Sequence, residues 1–279
     1  MRLLYFVGTT ALAVLGTVVA CSSSTPALSG NDAGSTDDGT GDPQPTPLPT
    51  VTTDAAVTTP REPVIYAHSP TTLYRFDTTT NALTKIADFT GCTDAVTDLA
   101  VAADGSAFVA TFSQFAKLNL TTDVCTPIVS NITGPNSLGF DPNASGVQQL
   151  VTYFGATYDR VDPTNANLTP LGTLGGGYES SGDIATFDGG TFLSAFGNEC
   201  NDCLFQINPL TGARLLSFGD IGTDKVYGLA ASSSALYAFS DHGIVIRAVP
   251  LADGGLATAI VFDAGTPEFY GAATGPAQQ

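Results

Sequence analysis

From Glu62 onward, short runs of apolar residues interrupted by single polar positions recur at a nearly constant spacing. Leu73-Tyr74-Arg75-Phe76-Asp77 is followed by Phe115-Ala116-Lys117-Leu118-Asn119, Tyr158-Asp159-Arg160-Val161-Asp162, Leu204-Phe205-Gln206-Ile207-Asn208 and Val245-Ile246-Arg247-Ala248-Val249. Their middle positions lie 42, 43, 46 and 41 residues apart, and four of the nine basic residues fall in that one column. Each run has the composition of a strand that ends at a turn. A second column keeps the same period: Thr97-Asp98-Leu99-Ala100, Asn136-Ser137-Leu138-Gly139, Gly182-Asp183-Ile184-Ala185, Tyr227-Gly228-Leu229-Ala230 and Tyr270-Gly271-Ala272-Ala273. Its small and aliphatic residues suit a strand where backbones crowd together. Between the columns lie hairpin signals, Asp104-Gly105 and Asp188-Gly189, and turn signals, Asp162-Pro163 and Asn208-Pro209-Leu210-Thr211-Gly212.

Each unit thus holds about four short strands, and repeats of ~40–45 residues with four strands predict a β-propeller. The first run, Val64-Ile65-Tyr66-Ala67, aligns with the second strand of a unit, as in Leu236-Tyr237-Ala238-Phe239. Phe269-Tyr270-Gly271-Ala272-Ala273 aligns with the first. Joined, they make one more complete unit, so the expected architecture is all-β. It is a five-bladed β-propeller over residues 62–279, closed by pairing the N- and C-terminal strands, which removes an open edge. A β-sandwich or an open solenoid is the alternative. The pattern resembles bacterial propeller repeats such as the YVTN and NHL groups, a likeness of architecture that implies no residue roles.

Before the repeats, Arg2 precedes an uncharged apolar run from Leu3 to Ala20. A short basic start, an apolar stretch and a small residue read as an export signal. Val18-Val19-Ala20-Cys21 resembles the lipobox of bacterial lipoproteins. That resemblance implies cleavage of residues 1–20, a lipid on Cys21 that ties the protein to a membrane, and, with Ser22 next, an extracytoplasmic place on the outer membrane of a Gram-negative bacterium. Residues 21–61 are Ser, Thr, Pro, Gly and Asp with few large apolar side chains. Such a segment cannot bury enough surface to offset its chain entropy and is expected to be a disordered stalk.

Charge narrows the partners. Against 26 acidic residues stand 9 basic ones, a formal net charge of −17, and such a surface repels phosphate backbones, which excludes nucleic acid as an expected ligand. Of five cysteines, Cys21 is assigned to the lipid. Exported chains meet oxidising conditions, so Cys200 is expected to pair with Cys203 in a loop between strands, and Cys92 with Cys125 across neighbouring blades.

Candidate chemistry concentrates in the loops that join one blade to the next and the second strand to the third, which share one face at the channel mouth. Asp98, Asn136, Asp183, Tyr227, Tyr270, His68 and His242 are the candidate ligand-binding residues there. Asp98 and Asp183 hold one register two blades apart, and carboxylates with Asn around a pore suit Ca²⁺ or another divalent cation. Capping of backbone N–H groups is the competing role for both. His68 and His242, with Asp241 beside the latter, belong to the first and last blades, where proximity would allow acid–base or metal chemistry. No G-x-S-x-G, H-E-x-x-H, Walker loop or G-x-G-x-x-G occurs. The expected function is a membrane-anchored binding or scaffold module for an envelope protein or a small molecule. A metal-dependent hydrolase or lactonase at the channel mouth is the alternative.

Overall fold

The computed structural model describes residues 62–131, 134–135, 137–197 and 200–277. The expected signal peptide and stalk (1–61) and Asn136 lie outside the described residues. The described residues form twenty strands in five four-stranded antiparallel sheets, with no helix. Blade 1 runs outward from β20 (Gly271–Ala277) through β1 (Pro63–His68) and β2 (Thr72–Asp77) to β3 (Ala82–Asp88). Blade 2 is β4 (Val96–Val101), β5 (Ala107–Thr111), β6 (Gln114–Asn119) and β7 (Val124–Ser130). Blade 3 is β8 (Gly139–Pro142), β9 (Gln148–Phe154), β10 (Thr157–Val161) and β11 (Leu168–Thr173). Blade 4 is β12 (Glu179–Phe187), β13 (Gly190–Gly197), β14 (Cys200–Ile207) and β15 (Arg214–Asp220). Blade 5 is β16 (Val226–Ala231), β17 (Leu236–Ser240), β18 (Ile244–Pro250) and β19 (Leu256–Asp263). The innermost strands touch in ring order, β4 to β8, β12, β16, β20 and back to β4.

This is a five-bladed β-propeller, closed as the sequence predicts. β20 pairs antiparallel with β1, in the register Ile65↔Thr274, Ala67↔Ala272 and His68↔Gly271. No sheet can bury its apolar face alone, so the core is divided among the blade interfaces. Leu73, Leu99 and Val109 pack between blades 1 and 2, and Phe108 and Leu138 between blades 2 and 3. Tyr153, Leu193 and Phe205 fill the next interface, Leu204, Leu229 and Leu236 the one after, and Phe76, Tyr237 and Phe239 the last. Each such side chain contributes about 1.5–3 kcal/mol on burial. Inner strands are covered on both faces, which explains the nearly unbroken run of small and aliphatic residues in β4 and β16.

Both disulfides form. Cys92, on the segment leading from blade 1 to blade 2, bonds Cys125 of β7 with Cα atoms 5.2 Å apart. The same segment makes a parallel bridge from Thr90 to Val124, so it runs beside the outer strand it serves. Cys200 bonds Cys203 with Cα atoms 5.9 Å apart. Contrary to expectation, that pair sits inside β14 and not in a loop, where the register with β13 shifts between Ala195 and Gly197.

Candidate functional site

The inner strands run from the channel mouth into the axis, and the second sequence column marks where they converge. At that level the backbone N–H groups of Leu99, Leu138, Ile184, Leu229 and Ala272 occupy one register, one from each blade. Two carboxylates accept all five. Asp98 Oδ1 accepts from Leu99 at 2.7 Å and Oδ2 from Leu138 in the next blade. Asp183 Oδ1 accepts from Ile184 at 2.9 Å. Its Oδ2 accepts from Leu229 at 3.3 Å and Ala272 at 3.1 Å, reaching two further blades. Both side chains are buried, at 0% and 1% exposure. Burial pushes both carboxyls well above the ordinary range, the Asp98 charge pushes Asp183 further, and the amides pull both back.

The capping role is therefore what Asp98 and Asp183 perform, and they do so inside β4 and β12, not in the loops where the sequence places them. The two converge, since Asp183 feels the charge of Asp98. All four of their oxygens are engaged by amides, and the positive ends of those N–H dipoles oppose a cation at the same point.

His68 also belongs to the axis. Expected in a surface loop, it is the last residue of β1 and wholly buried, packed edge-on against Phe89 with ring centroids 5.9 Å apart. Its Nδ1 lies 3.0 Å from the Ser69 carbonyl oxygen, which can only accept, so the neutral ring carries its proton there. Nε2 has no partner. Burial lowers the His68 pKa to about 4. Gly271 makes room for this arrangement: a Cβ there would sit 2.4 Å from His68 Nε2 and 2.6 Å from Asp98 Oδ1.

His242 has a different setting. It is exposed, and its Nε2 lies 2.7 Å from Asp224 Oδ1 while Nδ1 lies 3.5 Å from Asp241. Asp241 in turn pairs with Lys225 at 2.9 Å. Among the described residues, the two histidines share no hydrogen bond or ion pair.

Above the carboxylates opens a cavity of about 670 Å³ at the channel mouth. Tyr227, in β16 and not in a loop, and Tyr270 line it, edge to face with centroids 6.0 Å apart. Phe112 and Phe196 form further apolar wall, 65% and 43% exposed. The polar lining includes Thr97, Ser181 and Asp202, whose Oγ1, Oγ and Oδ1 atoms are buried without partners. Asp202 is only 2% exposed. Its Oδ2 accepts from the Val226 amide at 3.3 Å. Burial raises the Asp202 pKa to about 6, against the pull of the Ser181 hydroxyl and the neighbouring amides. Ser181, though near enough to exert that pull, closes no hydrogen bond of ordinary geometry. Lys225 and Asp224 stand at the rim. A smaller space of about 220 Å³ lies beyond the carboxylate pair, lined by Leu99, Leu138, Ile184 and Ala272 among others.

Phe112, Phe196, Thr97, Ser181 and Asp202 were not singled out by sequence reasoning. The phenylalanines carried a usable signal: Phe112-Ser113, Phe154-Gly155 and Phe196-Gly197 each put an aromatic at the end of a second strand, where a turn residue is expected. All three are exposed. The oxygens carried none, because they occupy unrelated positions in the repeat.

Fold and cavity define a propeller with a ligand-sized pocket at its axis. No family model and no curated protein matches the sequence. Solved structures do. A chain from the crystal structure of a nidogen/laminin complex is 14% identical with a TM-score of 0.50, covering 78% of this chain and 100% of that one. A chain of Kuenenia stuttgartiensis hydrazine synthase is 12% identical with a TM-score of 0.39, covering 68% of this chain and 60% of that one. At such identities the likeness is one of fold.

Proposed function

We propose that the protein is a non-catalytic binding module, lipidated at Cys21 and held by its stalk at the extracytoplasmic face of the outer membrane, with its ligand seated in the channel-mouth cavity. The observation that carries the binding reading is the cavity itself. About 670 Å³ of concave space with aromatic walls and a few convergent unpaired polar atoms has the size and lining of a ligand site. Two formed disulfides agree with an oxidising compartment, and the lipobox supports the anchor. The nidogen/laminin structure offers a precedent for this fold within a protein–protein assembly.

The test is capture of a partner from intact envelopes by the wild-type domain and by Tyr227→Ala and Tyr270→Ala variants. A partner that needs these rings supports the reading; one retained equally by all three proteins contradicts it. Loss of palmitate labelling in Cys21→Ser tests the anchor. The alternative, a hydrolase or lactonase using Ca²⁺ or a similar ion at Asp98 and Asp183, has to displace the amides that already engage all four carboxylate oxygens. That reading requires a stoichiometric divalent ion in protein purified without chelator, lost in Asp98→Ala and Asp183→Ala.

A further inference from the structure

The mouth cavity is chemically one-sided. Its unpaired buried polar atoms, Thr97 Oγ1, Ser181 Oγ and Asp202 Oδ1, are all oxygens. Among the described residues the one cationic side chain in the lining, Lys225, already pairs with Asp241 at 2.9 Å. Asp202 can therefore balance its charge only with something from outside. All three oxygens can accept hydrogen bonds; the two hydroxyls can also donate, but the ionised Asp202 carboxylate can only accept, so the partner that satisfies the floor is a group with several N–H donors and a positive charge. The walls select the remainder of the ligand. Tyr227, Tyr270, Phe112 and Phe196 offer apolar faces and edges, and such rings also attract a nearby cation through their quadrupoles. Outside the cavity, a net charge of −17 draws cations toward the protein.

Resting on the binding reading above, we infer that the mouth cavity takes a primary ammonium group carried on an apolar body, with Asp202 as its counter-charge, Thr97 and Ser181 as further acceptors, and the tyrosine and phenylalanine rings around the apolar part. Either a free amine or the lysine side chain of a partner protein supplies this chemistry. A carboxylate-bearing ligand would face Asp202 and is rejected. A neutral alcohol of the same shape fills the walls but leaves the buried charge unbalanced.

Calorimetric titration of the wild-type domain with phenethylamine, phenethyl alcohol and phenylacetate tests this. The amine is expected to bind at least about ten-fold more tightly than the alcohol, the gain a charge-assisted hydrogen bond gives, with no detectable binding of phenylacetate. Asp202→Asn should remove the advantage of the amine while leaving the alcohol unchanged. Thr97→Val, which keeps the side-chain shape, should weaken the amine by a smaller factor and serves if Asp202→Asn folds poorly. Equal affinity for amine and alcohol, no binding of any probe, or an amine affinity unaffected by either variant overturns the ammonium assignment. The binding-module reading falls separately, on an envelope capture indifferent to Tyr227 and Tyr270. A lysine-bearing tripeptide, acetyl-Phe-Lys-Phe-amide, compared with its Nε-acetylated form, separates the two sources. If the charged peptide outcompetes phenethylamine the source is a partner's lysine; if it does not compete, the source is a free amine.

Discussion

At the mouth, Thr97 and Ser181 lie one or two residues from the axial carboxylates on the inner strands β4 and β12, and Asp202 joins them from β14, yet axis and mouth treat buried oxygens in opposite ways. At the axis, four carboxylate oxygens meet five backbone amides, and every oxygen has a partner. At the mouth, three buried oxygens have none. Burying a polar atom is tolerable when it is hydrogen-bonded and costly when it is not. A saturated cluster therefore explains itself as architecture. An unsaturated one, open to a cavity, calls for a ligand.

Removing the saturated cluster should have the largest effect. Asp183→Ala strands the amides of Ile184, Leu229 and Ala272 in three blades, at about 1–3 kcal/mol for each buried unsatisfied group. Urea unfolding should show a loss of about 3–9 kcal/mol. Asp98→Ala strands two amides and should cost less, about 2–6 kcal/mol. The reverse order would mean that the carboxylates do not divide the ring as described. Gly271→Ala sharpens the same point without touching an acid. Its Cβ would crowd His68 Nε2 and Asp98 Oδ1, and thermal unfolding should register about 1–3 kcal/mol of overpacking.

At the mouth the sign should invert. The Asp202 carboxyl, at about 6 in the folded protein against an ordinary 3.8, holds its proton longer folded than unfolded. Its contribution to stability is thus present below pH 4 and lost as pH rises toward 6. Asp141, raised to about 6 by burial among Tyr158, Thr186 and Thr191, acts in the same sense. His68, lowered to about 4, acts in the opposite one: stability is complete above pH 6.5 and lost as pH falls through about 4. Asp202→Asn isolates one of these contributions. It should match wild type near pH 4 and exceed it by about 1–3 kcal/mol at pH 7.5 in paired urea titrations. An equal offset at both pH values would show that Asp202 is not the titrating group. Thr97→Val and Ser181→Ala should change stability least, within about 0.5 kcal/mol, because an unpaired hydroxyl is replaced by an apolar group. A loss above about 1 kcal/mol in either would reveal a partner and place the mouth with the axis.

Blade number and ring closure were legible in the sequence because they follow from its period, and the pairing of the four cysteines followed from the expectation of export together with that period. The Asp98 and Asp183 column was legible too, but its role was divided between capping and metal binding. The deciding partners, Leu138, Leu229 and Ala272, lie 40, 46 and 89 residues away along the chain. His68 was read as a residue of the loops at the channel mouth, whereas it ends β1 and packs against Phe89 from the segment leading to blade 2. The mouth oxygens were invisible for a related reason. Thr97, Ser181 and Asp202 are ordinary polar residues within their strands, and only the absence of a partner in space distinguishes them.

Native-state hydrogen exchange at the five axial amides addresses the division between axis and mouth most directly. In the wild-type protein, Leu99, Leu138, Ile184, Leu229 and Ala272 should exchange only through global unfolding. In Asp183→Ala, Ile184, Leu229 and Ala272 should lose protection beyond the global change while Leu99 and Leu138 keep theirs. Uniform loss at all five, or no selective loss at any, would contradict a ring of blades held together by two buried carboxylates.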